Sequence, residues 1–181
     1  MLDSTKIFIV DFEDSFTFNI ATVLFSFEKE IKVIGHQDFF QIKNLDNLLK
    51  TNKSIGVILG PGPGSPEIYK NYFSKISDLR NNSHIYLMGI CLGHQILALI
   101  DGLIVKPSLT PVHGEQVLIN FENINIHVQR YNSLAVYNTL FSSNEIYVRN
   151  WERGVSYQFH PESIGTNKNS LFFRDLLNFI K

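Results

Sequence analysis

The stretch Ile85-Tyr86-Leu87-Met88-Gly89-Ile90-Cys91-Leu92-Gly93 joins an apolar run to a segment, Gln95 to Ile100, that has the composition of a helix. The run is typical of a buried strand, and a glycine on either side of Cys91 lets the backbone turn sharply into the helix. This pattern predicts a nucleophile elbow, which holds one side chain exposed at the end of a strand. A helix N-terminus favours the thiolate, the form that attacks carbonyls. A buried cysteine acting as a small hydrophobe is the alternative, and the flanking glycines favour the nucleophile.

A candidate base follows late in the chain, in Gln158-Phe159-His160-Pro161-Glu162-Ser163. In extended backbone, His160 and Glu162 point to the same side, and Pro161 prevents a helix there. The carboxylate of Glu162 could then hold one imidazole nitrogen while the other nitrogen faces Cys91, as in a catalytic triad. A surface histidine at a strand end is the alternative for this segment taken alone. The presence of the elbow favours the triad.

A third candidate is the loop of Gly60-Pro61-Gly62-Pro63-Gly64-Ser65-Pro66, which follows the apolar run Ile55 to Leu59. Its prolines carry no N–H and no Gly-Lys-Ser/Thr follows, so a phosphate-binding loop is excluded. What remains is a rigid loop with a few backbone donors. The N–H groups of Gly62 and Leu92 would suit the oxyanion formed when a thiolate attacks an amide. An ordinary proline-glycine turn is the alternative.

Strand and helix patterns alternate along the first half of the chain. Near-continuous apolar strands separated by helices predict an α/β fold with an open, mostly parallel sheet covered by helices on both faces. From His113 to Phe159 shorter strand patterns predict a small antiparallel extension. The predicted strands are Lys6 to Val10, Ile31 to Ile34, Ile55 to Leu59 and Ile85 to Ile90. The first predicted helix is capped by Ser15, and its apolar face consists of Phe16, Ile20, Val23, Leu24 and Phe27. Two short helices are predicted, one marked by Leu45, Leu48 and Leu49 and the other by Tyr69, Phe73 and Ile76. A closing helix is predicted from Phe172, Leu176, Leu177 and Ile180.

Composition limits the possible functions. The chain has 181 residues, 44% of them hydrophobic, and we expect one domain over residues 1–181. Lys+Arg number 16 and Asp+Glu 17, which indicates no affinity for nucleic acid or an anionic membrane. We expect neither a signal peptide nor a membrane span, and a lone cysteine suits the reducing cytoplasm. The histidines lack metal-ligand spacing, so we expect no metal and no cofactor, and for His94 a packing or hydrogen-bonding role.

The chain resembles the class I, triad-type glutamine amidotransferases, and among them most closely the small glutaminase subunits of anthranilate synthase or aminodeoxychorismate synthase. The matching blocks run in the family's order over essentially the whole chain, and the first of them points to the chorismate-using branch. They are Asp11 to Asn19, the Gly-Pro-Gly loop, Gly89 to Gln95 and Gln158 to Ser163, with the shorter matches His113-Gly114 and Arg130 to Leu134.

The resemblance implies a role for each matched residue. Cys91 would attack the carboxamide of L-glutamine, His160 would move the protons and Glu162 would orient the imidazole. The substrate would be bound by the loop residues Gly62, Pro63 and Gly64, by Leu92 and Gln95, and by the backbone of Ser133 and Leu134. Glutamate would be released, and ammonia would pass to a separate chorismate-using synthase chain. The sequence leaves open whether that synthase makes anthranilate or aminodeoxychorismate.

Three departures from the family pattern fall outside the triad. Asn132 stands where histidine is usual and Glu115 where lysine is usual, and the region Leu134 to Val155 is short, as though a hairpin were trimmed. We expect these changes to affect docking of the synthase more than the chemistry. Two alternatives stay open: a stand-alone γ-glutamyl hydrolase of related fold, and a catalytically silent regulatory chain. The intact set of Cys91, His160 and Glu162 argues against the silent chain.

Overall fold

The computed structural model describes residues 4–28 and 30–181, with the side chain of Ile42 excluded. Its strands are β1 Ile7–Asp11, β2 Ile31–Gly35, β3 Ile55–Leu59, β4 Ile85–Ile90, β5 Ile104–Pro107, β6 Glu115–Phe121, β7 Ile124–Arg130, β8 Leu134–Tyr137, β9 Val148–Trp151 and β10 Gly154–Tyr157. Its helices are α1 Thr17–Phe25, α2 His36–Phe39, α3 Ile42–Leu49, α4 Phe73–Asn81, α5 Leu92–Ile100 and α6 Arg174–Phe179. Two 3₁₀ segments, Pro66–Tyr72 and Asn169–Phe173, precede α4 and α6.

The main sheet has six strands in the order β2-β1-β3-β4-β10-β9. All neighbouring pairs are parallel except β9 on β10, which is antiparallel. The predicted α/β fold with an open, mostly parallel sheet is therefore confirmed. The antiparallel extension consists of β9 and two two-stranded sheets, β5-β8 and β6-β7. It differs from the predicted stretch of His113 to Phe159 in two respects: β5 lies before His113, and β10 within that stretch joins the main sheet in parallel. Strands β1, β3 and β4 lie between other strands, and both of their faces are buried. Because both faces need apolar side chains, the sequences of these strands are hydrophobic without interruption.

Helices cover both faces of the main sheet. On one face, apolar side chains of α1 and α6 pack with alternate residues of the central strands, among them Ile20, Leu24, Leu176, Ile9 and Met88. On the other face, apolar side chains of α3, α4 and α5 pack against the remaining residues of the central strands. The helix residues are Leu45, Leu48, Ile76, Leu79 and Ile96, and the strand residues include Val57 and Leu87. Among the described residues no helix is long and apolar enough to cross a membrane.

The prediction for the first helix was wrong in two respects. Ser15 does not cap it: α1 follows Phe16, and no side chain caps its first turn. The side chain of Asp11 instead organises the preceding loop, accepting hydrogen bonds from the backbone of Glu13 and from Thr17 Oγ1. Of the predicted apolar face, Ile20 and Leu24 are fully buried and Val23 half-buried, whereas Phe27 lies beyond the helix end and is 56% exposed.

The helix predicted around Tyr69, Phe73 and Ile76 is a 3₁₀ segment followed by α4. Pro66 begins the 3₁₀ segment, and Tyr69 and Ile76 are buried against the sheet. The closing segment is likewise a 3₁₀ segment that continues into α6, and Phe172 and Leu176 are buried as predicted.

Candidate active site

Cys91 lies between β4 and α5 in the backbone conformation of a nucleophile elbow. Its φ of 51° and ψ of −100° are unfavourable for a residue with a Cβ atom. The surroundings fix this conformation, because Cys91 N donates to Tyr157 O of β10 at 2.8 Å and α5 begins at the next residue. Helix α5 therefore starts three residues earlier than the sequence predicted, which places Cys91 at its N-cap.

The two flanking glycines are required by close backbone contacts. A Cβ atom on Gly89 would lie 2.8 Å from the carbonyl carbon of Gly93, and one on Gly93 would lie 2.2 Å from Leu59 O. Real Cβ atoms do not approach other atoms so closely. Glycine at both positions lets α5 pack directly against the ends of β3 and β4, which is what aims the Cys91 side chain.

His160 and Glu162 meet as predicted. His160 Nδ1 and Glu162 Oε1 are 2.7 Å apart, and both side chains are almost completely buried. His160 is anchored through its backbone, because its N–H donates to Gln129 O of β7 at 2.8 Å and its carbonyl accepts from Thr166 Oγ1 at 2.6 Å. The antiparallel extension thus brings the histidine back to the carboxyl end of the main sheet.

The electrostatics of His160 favour its charged form. Burial lowers the pKa of His160, but the neighbouring Cys91 thiolate and then the Glu162 carboxylate outweigh burial and hold the pKa well above its usual value. His160 Nε2 is buried and makes no hydrogen bond of normal geometry to the described residues. This nitrogen is the one left to exchange a proton with Cys91 and with a substrate.

Two aromatic rings enclose the imidazole. The rings of Phe16 and Tyr131 both contact His160 edge-on, with centroids 5.4 and 5.0 Å away, and they also contact each other. Phe16, which the sequence assigned to a core-facing helix stripe, therefore lies in the candidate active site. Sequence reasoning missed both roles. Edge-on packing fixes the plane of the imidazole, and the contact between Glu162 Oε1 and His160 Nδ1 fixes its rotation within that plane.

The candidate oxyanion donors are adjacent. A Cβ atom on Gly62 would lie 2.4 Å from Leu92 Cδ2, so the loop after β3 lies directly against the residue that follows the nucleophile. Within the described residues, neither Gly62 N–H nor Leu92 N–H donates to a protein acceptor. Two unpaired N–H groups beside a nucleophile suit an oxyanion. Pro63 and Gly64 continue this loop and are exposed.

Two of the remaining predicted substrate-binding residues, Gln95 and Leu134, are in direct contact. Gln95 Nε2 donates to Leu134 O at 2.9 Å, and Asn132 Nδ2 donates to the same oxygen at 2.9 Å. Ser133 is exposed, and its carbonyl accepts from Ser108 N at 2.8 Å. Asn132, the departure from the family pattern, is thus a buried hydrogen-bonding residue beside the predicted binding segment. Glu115 is exposed at the start of β6.

Gln158 is a site residue that sequence reasoning missed. It is completely buried, and its Nε2 lies 3.9 Å from Cys91 Sγ while its Oε1 faces Gln95. A signal was present in the sequence, because residues two apart in extended backbone share a side and Gln158 stands two before His160.

The sequence model of one protein family, Glutamine amidotransferase class-I, matches residues 8–179. The chain belongs to the class-I glutamine amidotransferases. This result confirms the family resemblance inferred from the sequence, and with it the expectation that the chain is an enzyme of this class.

Curated relatives are similar over nearly the whole chain. Anthranilate synthase component 2 of Buchnera aphidicola subsp. Schizaphis graminum is 28% identical, with 96% of this chain and 95% of that protein covered. Its counterpart in Archaeoglobus fulgidus is 29% identical, with 94% and 96% covered. A Schizosaccharomyces pombe protein described as a candidate aminodeoxychorismate synthase is 28% identical over 96% of this chain, which spans only 26% of that longer protein.

Solved structures support the fold. A Thermoplasma acidophilum protein described as a candidate component of GMP synthase superimposes with a TM-score of 0.77, covering 98% of this chain and 94% of that one at 18% identity. A glutamine amidotransferase from Thermotoga maritima gives a TM-score of 0.65, covering 97% and 81% at 15% identity.

Proposed function

We propose that this chain is a glutaminase subunit that hydrolyses L-glutamine to L-glutamate through a thioester at Cys91. The ammonia passes to a separate synthase chain that uses chorismate. The observation that carries the proposal is the strained Cys91 at the elbow beside a buried His160–Glu162 pair. A reducing compartment such as the cytoplasm suits this lone thiol.

In the first half-reaction, the thiolate of Cys91 attacks the carboxamide carbon of glutamine. The developing oxyanion lies against Gly62 N–H and Leu92 N–H. The protonated Nε2 of His160 then gives its proton to the nitrogen as the C–N bond breaks, so ammonia leaves and a glutamyl thioester remains. The carboxylate of Glu162 stabilises the imidazolium before this transfer and keeps the ring oriented afterwards.

In the second half-reaction, water hydrolyses the thioester. Neutral His160 takes a proton from the attacking water, and the same two N–H groups stabilise the second oxyanion. The C–S bond breaks, glutamate leaves after losing its acid proton to solvent, and the thiolate–imidazolium pair of Cys91 and His160 is restored.

The hydrogen bonds of Gln95 restrict how it can bind the substrate. Its two amide hydrogens already donate to Leu134 O and Gln158 Oε1, so only Gln95 Oε1 is available to a ligand. A carbonyl oxygen can only accept hydrogen bonds. We therefore assign Gln95 to the α-ammonium group of glutamine, and the backbone of the exposed residue Ser133 and the loop Gly62 to Gly64 to the rest of the substrate.

The synthase partner is inferred from the relatives. Proteins named as anthranilate synthase component 2 match this chain end to end, and the longer Schizosaccharomyces pombe protein carries a matching segment within one chain. Both names refer to chorismate-using synthases, which leaves the product to be decided by experiment.

The test measures glutamate released from L-glutamine by the purified chain, alone and with each chorismate-using synthase encoded in the same genome. We expect one synthase to stimulate release, and its aromatic product identifies the pathway. Cys91→Ser is the matched control, because it keeps the shape of the elbow and replaces the thiol by a much weaker nucleophile. Circular dichroism and thermal unfolding establish that the variant is folded.

Two results would contradict the proposal. Glutamate release that persists in Cys91→Ser excludes the thioester. Cys91-dependent release that no synthase stimulates, together with hydrolysis of other γ-glutamyl compounds, would instead indicate a stand-alone γ-glutamyl hydrolase.

A further inference from the structure

A continuous series of hydrogen bonds connects Cys91 to Arg130, which forms a buried ion pair with Glu145 at 2.8 Å in the antiparallel extension. From Cys91 Sγ it runs to Gln158 Nε2 at 3.9 Å, from Gln158 Oε1 to Gln95 Nε2 at 3.3 Å, and from Gln95 Nε2 to Leu134 O at 2.9 Å. The same carbonyl accepts from Asn132 Nδ2, and Asn132 Oδ1 accepts from Arg130 Nε at 3.0 Å.

The Leu134 carbonyl determines the direction of the hydrogen bonds that connect it to Cys91. The Leu134 carbonyl can only accept, so the nitrogen of Gln95 must point at it. That nitrogen also faces Gln158, and the oxygen of Gln158 must therefore point towards Gln95. The other half of the Gln158 amide, its NH₂ group, is then directed at Cys91 Sγ.

The position of Gln158 is also fixed. Its side chain is completely buried, and its backbone N–H donates to Tyr147 O at 2.9 Å. A buried amide hydrogen has no water to bind, so its favourable partner is the sulfur, above all when the sulfur carries a negative charge.

We propose that Gln158 donates a hydrogen bond to the Cys91 thiolate, which fixes the direction of the sulfur and stabilises its charge. The inference rests on the glutaminase function proposed above and adds a fourth residue to the three of the triad. The thiolate is the nucleophile of the first half-reaction and the leaving group of the second, so a donor aimed at the sulfur assists both.

Gln158 also links Cys91 to the predicted substrate-binding segment at Leu134. Gln95 holds the Gln158 amide with one hydrogen and the Leu134 carbonyl with the other. The predicted substrate-binding segment and the proposed donor to Cys91 are therefore both hydrogen-bonded to Gln95.

The test compares Gln158→Met, which keeps the length of the side chain and removes the donor, with the unchanged protein. We expect kcat for glutamine hydrolysis to fall by about tenfold to a hundredfold, the effect of losing a hydrogen bond to a charged group. KM should change less than kcat, because Gln158 faces the nucleophile directly and reaches the predicted substrate-binding residues only through its hydrogen bond from Gln95. Reaction of Cys91 with iodoacetamide at neutral pH, followed by intact mass, should slow by a similar factor.

Ser156→Ala is the matched control. Ser156 is equally buried two residues earlier on β10, but its Oγ binds His94 Nδ1 at 2.9 Å and takes no part in the chain to Cys91. We expect this variant to lose thermal stability while its alkylation rate stays within about twofold of the unchanged protein. If alkylation slows equally in both variants, the cause is a general distortion of β10 and not the loss of the donor. That result would overturn the proposal.

Gln158→Glu is a second variant for the case that Gln158→Met does not fold. An ionised carboxylate of the same shape offers no donor to the sulfur and repels the thiolate, so alkylation measured above the pKa of that carboxyl should again slow. Wild-type rates of turnover and alkylation in a folded Gln158 variant would contradict the proposal. Alkylation needs no glutamine, so it tests the role of Gln158 even if the unchanged chain proves to have no glutaminase activity.

Discussion

At the scale of single residues, His94 lies three residues after the candidate nucleophile Cys91, and its surroundings argue against a part in the chemistry. Its Nε2 faces Ile146 O and its Nδ1 faces Ser156 Oγ, both at 2.9 Å. Because a carbonyl can only accept, the ring hydrogen lies on Nε2. Burial and then the charge of Arg149 lower the pKa of His94 to about 3, although its hydrogen bonds oppose the shift. His94 is therefore a neutral support between α5 and β10.

This protonation state predicts a particular dependence of stability on pH. Below pH 6.5 the unfolded chain binds a proton at His94 that the folded chain excludes down to about pH 3. The free energy of unfolding should therefore decrease as pH falls through this window, by about 1.4 kcal/mol per pH unit from this group. His94→Gln, which cannot titrate, should be less stable at pH 7 but should lose about 2 kcal/mol less than the unchanged protein between pH 7 and 5. Urea unfolding at each pH measures the difference, and equal losses would show that His94 is charged in the folded state.

The local geometry of the candidate site was predictable where it depends on local sequence. The elbow at Cys91 and the pairing of His160 with Glu162 were predicted from their local patterns, and the structure shows both, with His160 Nδ1 2.7 Å from Glu162 Oε1. The contacts of Phe16 and Tyr131 with His160 were not predicted, because they join segments that lie far apart in the chain. Apolar periodicity assigns such rings to a core and contains no information about which partner they meet.

At the scale of elements, the elbow depends on how closely α5 approaches the end of β3. Gly93 N donates to Gly60 O at 3.2 Å, and the neighbouring Leu59 carbonyl leaves no space for a side chain on Gly93. Strand boundaries such as those of β3 and β4 were predicted correctly, since buried parallel strands leave an unmistakable apolar run. The start of α1 was not, because the carboxylates of Asp11 and Asp14 bind the loop N–H groups in place of a cap at Ser15.

Gly93→Ala tests the close approach of α5. The new Cβ atom would lie 2.2 Å from Leu59 O, so the helix must move. We expect a loss of roughly 1–3 kcal/mol or more in the free energy of unfolding. Because the shift also moves Leu92 N–H, we expect a lower kcat in the variant that remains folded.

Gly35→Ala is the control for this substitution. A Cβ atom on Gly35 meets nothing within 4 Å, and its φ of −58° suits any residue. This variant should be as stable as the unchanged protein or slightly more so. Equal effects of the two alanines in denaturant unfolding would show that α5 is not constrained by contact at Gly93.

At the scale of the whole molecule, one buried ion pair joins the separate parts of the antiparallel extension. Arg130 at the end of β7 binds Glu145 Oε2 at 2.8 Å, and both side chains are almost fully buried. The carboxylate also accepts from Tyr137 at the end of β8 and from Ser108 after β5. The pairing of these distant segments was not predictable from sequence, since charge patterns do not show which two ions meet in an interior.

Breaking this pair should cost far more than its net contribution to stability, because the remaining ion stays buried without its partner. We expect Arg130→Met to lower the free energy of unfolding by roughly 3–5 kcal/mol. Adding Glu145→Gln removes the stranded charge, so the double variant should lose less than the sum of the two single variants by about 0.5–3 kcal/mol.

The exposed pair of Arg174 and Glu122 is the control, and its removal should cost at most about 1 kcal/mol. Urea unfolding of the full cycle measures these terms, and additive losses at Arg130 and Glu145 would mean that the extension is not held together by their attraction. Since Arg130 also holds Asn132 beside the Leu134 carbonyl, we expect the folded Arg130→Met variant to show a raised KM for glutamine as well.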